Sequence, residues 1–409
     1  MSIAENHGGM YQNLKLLRDT DGKAECNLFK SMNLDYVFVK DGNDLESLIN
    51  TFERVKDTNK PVVVHIVTQK GKGFALAEKN KETWHWCMPF DIETGKPKFT
   101  FDGEDYGSVT RDYLIDKMKK DKDVIAITSA TPAVFGFDEE TRKIAGKQFV
   151  DVGIAEETAV ALASGIAAGG GKPVYPVYST FIQRAFDQLS QDLCINNNAA
   201  TLVVFAASVF GMNDVTHLGI YDIPMMSNIP NLVYLAPTTY EEYIAMLDWS
   251  TEQREHPVAI RVPGAVIHGE KPTKDYGILN KYETVQKGSG AAIIALGTFF
   301  GMGKQAAELI EKKTGVKPTL INPVYITGID EELLESLKKD HKAVVTLEDG
   351  ILDGGFGEKI ARFYGDSDMR TVNFGLKKEF LDRYDANEVL RQNGITPEQI
   401  ADRAAELIK

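Results

Sequence analysis

The chain has 409 residues, 43% hydrophobic and 26% charged, a globular balance that suits two or three domains with cores large enough to do without disulfides. Its formal net charge of −13 repels phosphate backbones, which sets nucleic acid aside as a partner, and no apolar run is long enough to span a bilayer, which sets the membrane aside. Three cysteines, Cys26, Cys87 and Cys194, form no C-x-x-C pair, so the expectation is a reducing cytoplasm without structural zinc. The first residues, Met1 to Asn6, show no basic region followed by an apolar stretch, so no signal peptide is expected.

Along the chain, short β-branched runs alternate with amphipathic patterns. Strands are predicted at residues 62–67, 124–128, 174–178, 202–206, 232–236, 292–296, 319–322 and 343–347. Helices are predicted at 111–120, 241–252 and 304–313. Such alternation predicts α/β domains with largely parallel sheets, whose two-sided burial explains the continuous apolar runs. Polar stretches at 91–106 and 264–288 mark two seams. They divide the chain into a front piece (1–100), a middle domain (101–268) and a C-terminal domain (269–409). The front piece has few strands and is small for a domain that must build its own parallel core.

Three segments of the middle domain carry candidate chemistry. The first is Asp151-Val152-Gly153-Ile154-Ala155-Glu156-Glu157-Thr158-Ala159, followed by an apolar helix that stops at Gly169-Gly170-Gly171-Lys172-Pro173. Glu156 falls in the first turn, where a carboxylate can simply favour the helix dipole. The second, Tyr178-Ser179-Thr180-Phe181-Ile182-Gln183-Arg184-Ala185-Phe186-Asp187-Gln188, runs from a strand end into a helix capped by Ser179 or Thr180. Its plain reading is a capped helix with Phe181 and Phe186 in the core and Arg184 paired to Asp187; its functional reading is a ligand site at a strand's carboxyl end. The third, Gly211-Met212-Asn213-Asp214-Val215-Thr216-His217-Leu218-Gly219, frames His217 in a polar loop, either facing solvent or serving acid–base or substrate-binding work.

In order and spacing these segments resemble the D-V-G/A-I-A-E-Q-H-A, Y-S-T-F-L-Q-R-A-Y-D-Q and G-A-D-G-x-T-H-x-G runs of the 1-deoxy-D-xylulose-5-phosphate synthase family, in the transketolase superfamily. The resemblance covers nearly the whole chain. Thr68-Gln69-Lys70-Gly71-Lys72-Gly73-Phe74 is similar to that family's T-K-K-G-R-G-Y run, and Thr83-Trp84-His85 to its T-F-H. Leu347-Glu348-Asp349-Gly350 and Gly354-Gly355-Phe356-Gly357 resemble its E-E/D-x-x-x-x-G-G-x-G segment.

The resemblance implies a transketolase-like α/β fold: a partial diphosphate-binding domain, a pyrimidine-binding domain and a C-terminal domain. It implies thiamine diphosphate and Mg2+ as cofactors, and a transferase that moves a two-carbon unit from pyruvate or a similar 2-oxo acid to an aldehyde. Glu156 then matches the glutamate at the aminopyrimidine ring nitrogen, Phe181 the aromatic stacked on that ring, and Phe74 a cofactor-contacting tyrosine without its hydroxyl. Arg184, His217 and His85 match active-site residues, and Tyr178 a residue on the substrate-phosphate side. Asn213, Asp214 and Arg261 fall in substrate-binding motifs. A homodimer is implied as well.

Departures from the family bear on the acceptor and the metal. Ala206 stands where the family has one phosphate-binding arginine, and Gly264 where it has a second. The G-D-G and N-D-N metal motif is not found in this sequence; Asp41-Gly42-Asn43-Asp44 resembles a later D-G-H-D run. The metal ligands are therefore expected outside the chain, with the Met1 region adjoining the magnesium site; an N-terminal segment, either a separate subunit or one lost through a misassigned start, is expected to supply them. Two alternatives stand beside this: a transketolase-like enzyme with an unphosphorylated acceptor, and a non-catalytic partner-binding remnant.

Overall fold

A computed structural model describes residues 8–85, 87–99, 103–262 and 264–409. The Met1 region, expected beside a magnesium site, lies outside the described residues. The chain divides into two compact units, Met1–Gly103 and Glu104–Lys409.

In the first unit, strands β1 (Asp35–Val39) and β2 (Val62–Ile66) pair in parallel, with Asp35 opposite Val62 and Val39 opposite Ile66. The crossover is the helix Leu45–Val55, whose start is fixed by the Asp44 carboxylate accepting from the Ser47 amide at 2.8 Å. Every residue of β2 is only half-buried, so this two-stranded layer leaves its apolar side chains partly open. Further on, Phe74, Trp84 and Phe90 form a local ring cluster, with Trp84 centred 4.9 Å from Phe74 and 4.6 Å from Phe90.

The second unit holds two sheets. The first is parallel throughout, with strands β3 (Val124–Thr128), β4 (Phe149–Asp151), β5 (Lys172–Tyr178), β6 (Thr201–Phe205), β7 (Val233–Leu235) and β8 (Val258–Arg261), in the order β4-β3-β5-β6-β8-β7. The chain leaves β3 toward β4 on one side and β5 toward β6 on the other, so the switch point lies between β3 and β5. Strands β5 and β6 are apolar along nearly their whole length because helices cover both faces.

The second sheet contains β9 (Glu283–Gln286), β10 (Gly290–Ala295), β11 (Thr319–Asn322), β12 (His341–Ile351) and β13 (Arg370–Leu376), in the order β13-β12-β10-β11-β9. Only β9 runs antiparallel. One continuous apolar core spans the two sheets, joining Tyr175, Leu202 and Tyr234 to Ile294, Ile321 and Phe356. A bridge between Leu235 and Tyr325 links their backbones.

Each predicted strand and helix has a counterpart. Strands β1, β4, β8, β9 and β13 were not expected from the sequence, being short or polar. The helix expected at 111–120 starts earlier, at Tyr106, because Asp105 caps it by accepting from the Ser108 amide at 3.0 Å. No helix among the described residues is long and apolar enough to cross a membrane.

Candidate functional site

Strand β4 leads through Asp151 into the helix Glu156–Ala168. Asp151 Oδ1 accepts from the amides of Ala130 (3.0 Å) and Gly153 (2.9 Å), which ties the ends of β3 and β4 together. Glu156, Ala159, Val160, Ala163 and Ser164 are the buried positions of the helix, one face at helical spacing. Glu156 thus lies on the core side and is only 2% exposed, unlike a solvated first-turn acid. A buried carboxylate needs a partner. Arg184 supplies it, with Nη1 3.2 Å from Glu156 Oε2. Arg184 itself is half-exposed, and it is Glu156, not Asp187, that it engages.

The turn after β5 differs from the expected capped helix. Residues Ile182–Ala185 form a 3-10 turn without a side-chain cap, and Ser179 Oγ instead donates to the Ala206 carbonyl at 3.4 Å. Thr180 Oγ1 is buried without a hydrogen-bond partner. Phe181 packs partly against the core, while Phe186 is 44% exposed.

Three of the predicted residues meet as rings. Tyr178 and Phe181 centre 5.2 Å apart, Tyr178 and His217 5.6 Å, and Phe181 and His217 5.2 Å. Burial pushes the Tyr178 phenol above its ordinary value. His217 Nδ1 lies 2.9 Å from Asp214 Oδ1, and the Thr216 hydroxyl donates to the same oxygen at 2.5 Å. The Thr216 hydroxyl foremost, and His217 with it, hold the Asp214 carboxyl below its usual range. An anionic acceptor at Nδ1 fixes the tautomer with the proton on Nδ1. Nε2 has no hydrogen-bond partner among the described residues.

Other expected residues make contacts of their own. Asn213 directs its amide to the Tyr384 carbonyl at 3.4 Å, and the Arg383 amide donates to its carbonyl at 2.6 Å. Phe74 and His85 belong to the first unit, where Phe74 is committed to the ring cluster and exposed His85 meets the Lys70 ammonium. Arg261 is a correction. It is 2% exposed, with Nε 2.7 Å from Asp222 Oδ2, Nη2 3.2 Å from Asp222 Oδ1, and Nη1 bonded to Asp349 Oδ1. Tyr234 Oη donates to Asp222 Oδ2 at 2.5 Å. With its guanidinium committed to buried carboxylates, Arg261 ties the first sheet to the second and is not available to a substrate phosphate.

The sequence reading missed this network and the loop at 377–385 that holds the His217 segment. The Leu347-Glu348-Asp349-Gly350 motif was a signal for the first; nothing in the composition of the second marked it.

The arrangement offers a buried carboxylate, an aromatic wall and an imidazole with a free nitrogen, at the carboxyl ends of parallel strands where ligands bind in open sheets. Glu156, Phe181 and the orphaned Thr180 hydroxyl fit a planar nitrogen heterocycle such as an aminopyrimidine. Among the described residues no cluster of three or more His, Cys, Asp and Glu side chains could hold a metal ion.

Comparisons with known proteins find relatives along most of the chain. Residues 10–68 match the family described as 1-deoxy-D-xylulose-5-phosphate synthase, 103–266 the transketolase pyrimidine binding domain, and 280–400 the transketolase C-terminal domain. The chain is 37% identical over 386 residues to the 1-deoxy-D-xylulose-5-phosphate synthase of Clostridium perfringens, covering 93% of this chain and 61% of that protein. It is 33% identical over 393 residues to that of Acaryochloris marina, with the same coverage. The chain thus spans about three fifths of the length of these curated relatives. Among solved structures, a split gene transketolase described as an inactive beta4 tetramer is similar at a TM-score of 0.63 and 20% identity, over 75% of this chain and all of that one. A transketolase from Pichia stipitis follows at 0.61 and 16%, over 93% of this chain and 68% of that one. The fold is transketolase-like.

Proposed function

We propose that the chain belongs to the 1-deoxy-D-xylulose-5-phosphate synthase family of the transketolase superfamily and takes part in a thiamine-diphosphate-dependent transfer of a two-carbon unit from pyruvate, or a similar 2-oxo acid, to an aldehyde. The observation that carries this is Glu156: a carboxylate on the buried face of an apolar helix, paired with Arg184, in the helix that follows β4 of a parallel sheet. Thiamine diphosphate, when bound, supplies a nucleophilic thiazolium carbon. Glu156 would hold the aminopyrimidine through a ring nitrogen, and Phe181 would pack on its face. His217, its Nδ1 proton fixed by Asp214, handles a proton at Nε2, and Arg184 carries positive charge beside Glu156 for an anionic substrate group. We read the chain in three parts: 1–100 in a diphosphate-binding domain, 101–268 binding the aminopyrimidine, and 269–409 as the C-terminal domain.

The magnesium and diphosphate ligands, on this reading, come from a separate α/β polypeptide that completes the first unit. Half-buried β2 and the apolar stripe Leu45, Ile49 and Phe52 on the helix Leu45–Val55, 70%, 52% and 48% exposed, suit such a neighbour. The working assembly is then cytoplasmic and contains two copies of this chain. Calorimetric titration of the chain with thiamine diphosphate and Mg2+ tests the arrangement: weak binding alone, and micromolar binding once the completing polypeptide is added. Micromolar, magnesium-dependent binding to the chain alone would defeat it.

An unphosphorylated acceptor is the variant that the structure favours. Ala206 and Gly264 replace two arginines of the family, and the nearby Arg261 is locked in buried ion pairs. Hydrogen bonds to charged groups are worth about 1.5–3 kcal/mol each, so two missing contacts remove roughly a hundredfold or more of preference. The ratio of specificity constants for D-glyceraldehyde 3-phosphate and D-glyceraldehyde, with pyruvate as donor, is expected near one; a strong preference for the phosphorylated aldehyde would restore the acceptor of the relatives.

A further inference from the structure

The loop that carries His217 has little structure of its own. Between β6 and the helix Asp222–Met226 its sole regular element is the 3-10 turn Val215–His217. What holds it is another loop, residues 377–385, which follows β13 in the second sheet. Tyr384 Oη donates to the carbonyls of Val209 (2.9 Å) and Met212 (3.1 Å). The Val215 amide donates to Asp382 Oδ1 at 3.1 Å, and Tyr221 Oη to the Glu379 carbonyl at 2.5 Å. These bonds bracket the Asp214–His217 pair on both sides. Burial first, and Asp214 second, push the Tyr384 phenol up to about 12, so it remains a donor across the physiological range.

We propose that Tyr384 and Asp382 are positioning residues for His217: they fix the backbone of residues 209–217 so that Asp214 keeps the imidazole proton on Nδ1 and Nε2 stays free for reacting groups. The segment after β13 thereby acts on the placement of His217 from another sheet. A strap that merely joined two sheets would bond anywhere along their contact. These bonds fall instead on Val209, Met212 and Val215, the residues immediately around the Asp214–His217 pair, and in a segment without regular structure such anchors decide side-chain placement.

The proposal rests on the reading of His217 as a proton-handling group, and its test separates the two. The full chain, with histidine ring nitrogens labelled with 15N, gives signals from seven histidines, among which His217→Gln identifies the one of interest. Above pH 8, where an imidazole is ordinarily neutral, His217 is expected as a single tautomer protonated on Nδ1. In Tyr384→Phe and, separately, in Asp382→Ala, it becomes a mixture of tautomers while the other six histidines stay unchanged. In the assembled enzyme both variants lower kcat roughly tenfold, the scale of one or two lost hydrogen bonds, with little change in KM. Identical His217 ring signals in both variants would overturn the proposal. So would a changed tautomer with unchanged kcat. If Tyr384→Phe does not fold, Asp382→Ala, which keeps the tyrosine anchor, decides alone. Full activity in His217→Gln would instead remove His217 from the reaction and leave the tautomer result standing as structural.

Discussion

Glu348 lies fully buried on β12, with its two oxygens accepting from the amides of Phe356 at 2.7 Å and Gly357 at 2.8 Å. Burial, working against those two amides, raises its carboxyl to about 7. A carboxyl whose folded value exceeds its unfolded one contributes stability that is complete below the unfolded value of 4.5 and is lost as pH rises toward about 7. The shift corresponds to about 3 kcal/mol. Glu348→Gln should flatten the stability–pH curve between those limits, read from denaturant midpoints at several pH values; an unchanged slope would place the titration elsewhere. Its neighbour Asp349 shares Arg261 with Asp222, and breaking a buried pair by removing one partner costs about 3–5 kcal/mol. Arg261→Leu should therefore lower the denaturation midpoint strongly, whereas a phosphate-binding arginine would leave it almost unmoved. Motif position suggested Arg261 as a substrate-binding residue but could not say how its guanidinium is occupied, because that depends on Asp349, which is 88 residues away in sequence. Glu156, Phe181 and His217 were legible because three consecutive segments each follow a strand. The Arg184–Glu156 pair was not, since Asp187 offered an equally plausible partner on the same turn.

At the scale of elements, most strands that the sequence disclosed are buried on both faces, such as β6 and β10, where apolar residues run without interruption; half-buried β2 is an exception. Those it concealed are short, like three-residue β4, or carry polar edges, like β9. The loop after β6 was expected as a loop, but the crowding at its base was not. A Cβ at Gly219 would lie 1.9 Å from the Ala206 carbonyl oxygen and 2.5 Å from Ser179 Oγ, the first of these backbone. Ala206 itself sits at φ +52°, in the left-handed region. Gly219→Ala should destabilise by about 1–3 kcal/mol and displace His217, visible as a lower thermal midpoint together with altered imidazole signals. On the helix Leu45–Val55 the opposite holds. Ile49 is exposed, so Ile49→Gln should change the stability of the chain by no more than about 0.5 kcal/mol, while Leu17→Ala, at a site without exposure, should cost about 2–5 kcal/mol. Equal losses in calorimetry would mean that this helix face is covered.

For the whole molecule, the resemblance to a family was readable before the fold because the motifs that carry it follow one another along the chain. The dependence of one domain on another was not readable. The His217 loop takes its shape from residues 377–385, more than 150 residues later. The central proposal is that Glu156, buried on the core side of its helix, is the group that engages the aminopyrimidine of thiamine diphosphate. The most direct test is the rate of hydrogen–deuterium exchange at the thiazolium carbon, measured in the assembled enzyme by quenched-flow and NMR for wild type and Glu156→Ala. General acid–base groups contribute about a hundred- to ten-thousand-fold, and the account predicts a loss within that range with Glu156→Gln intermediate. Exchange at the wild-type rate in Glu156→Ala would contradict it and leave Glu156 as a buried ion-pair partner of Arg184.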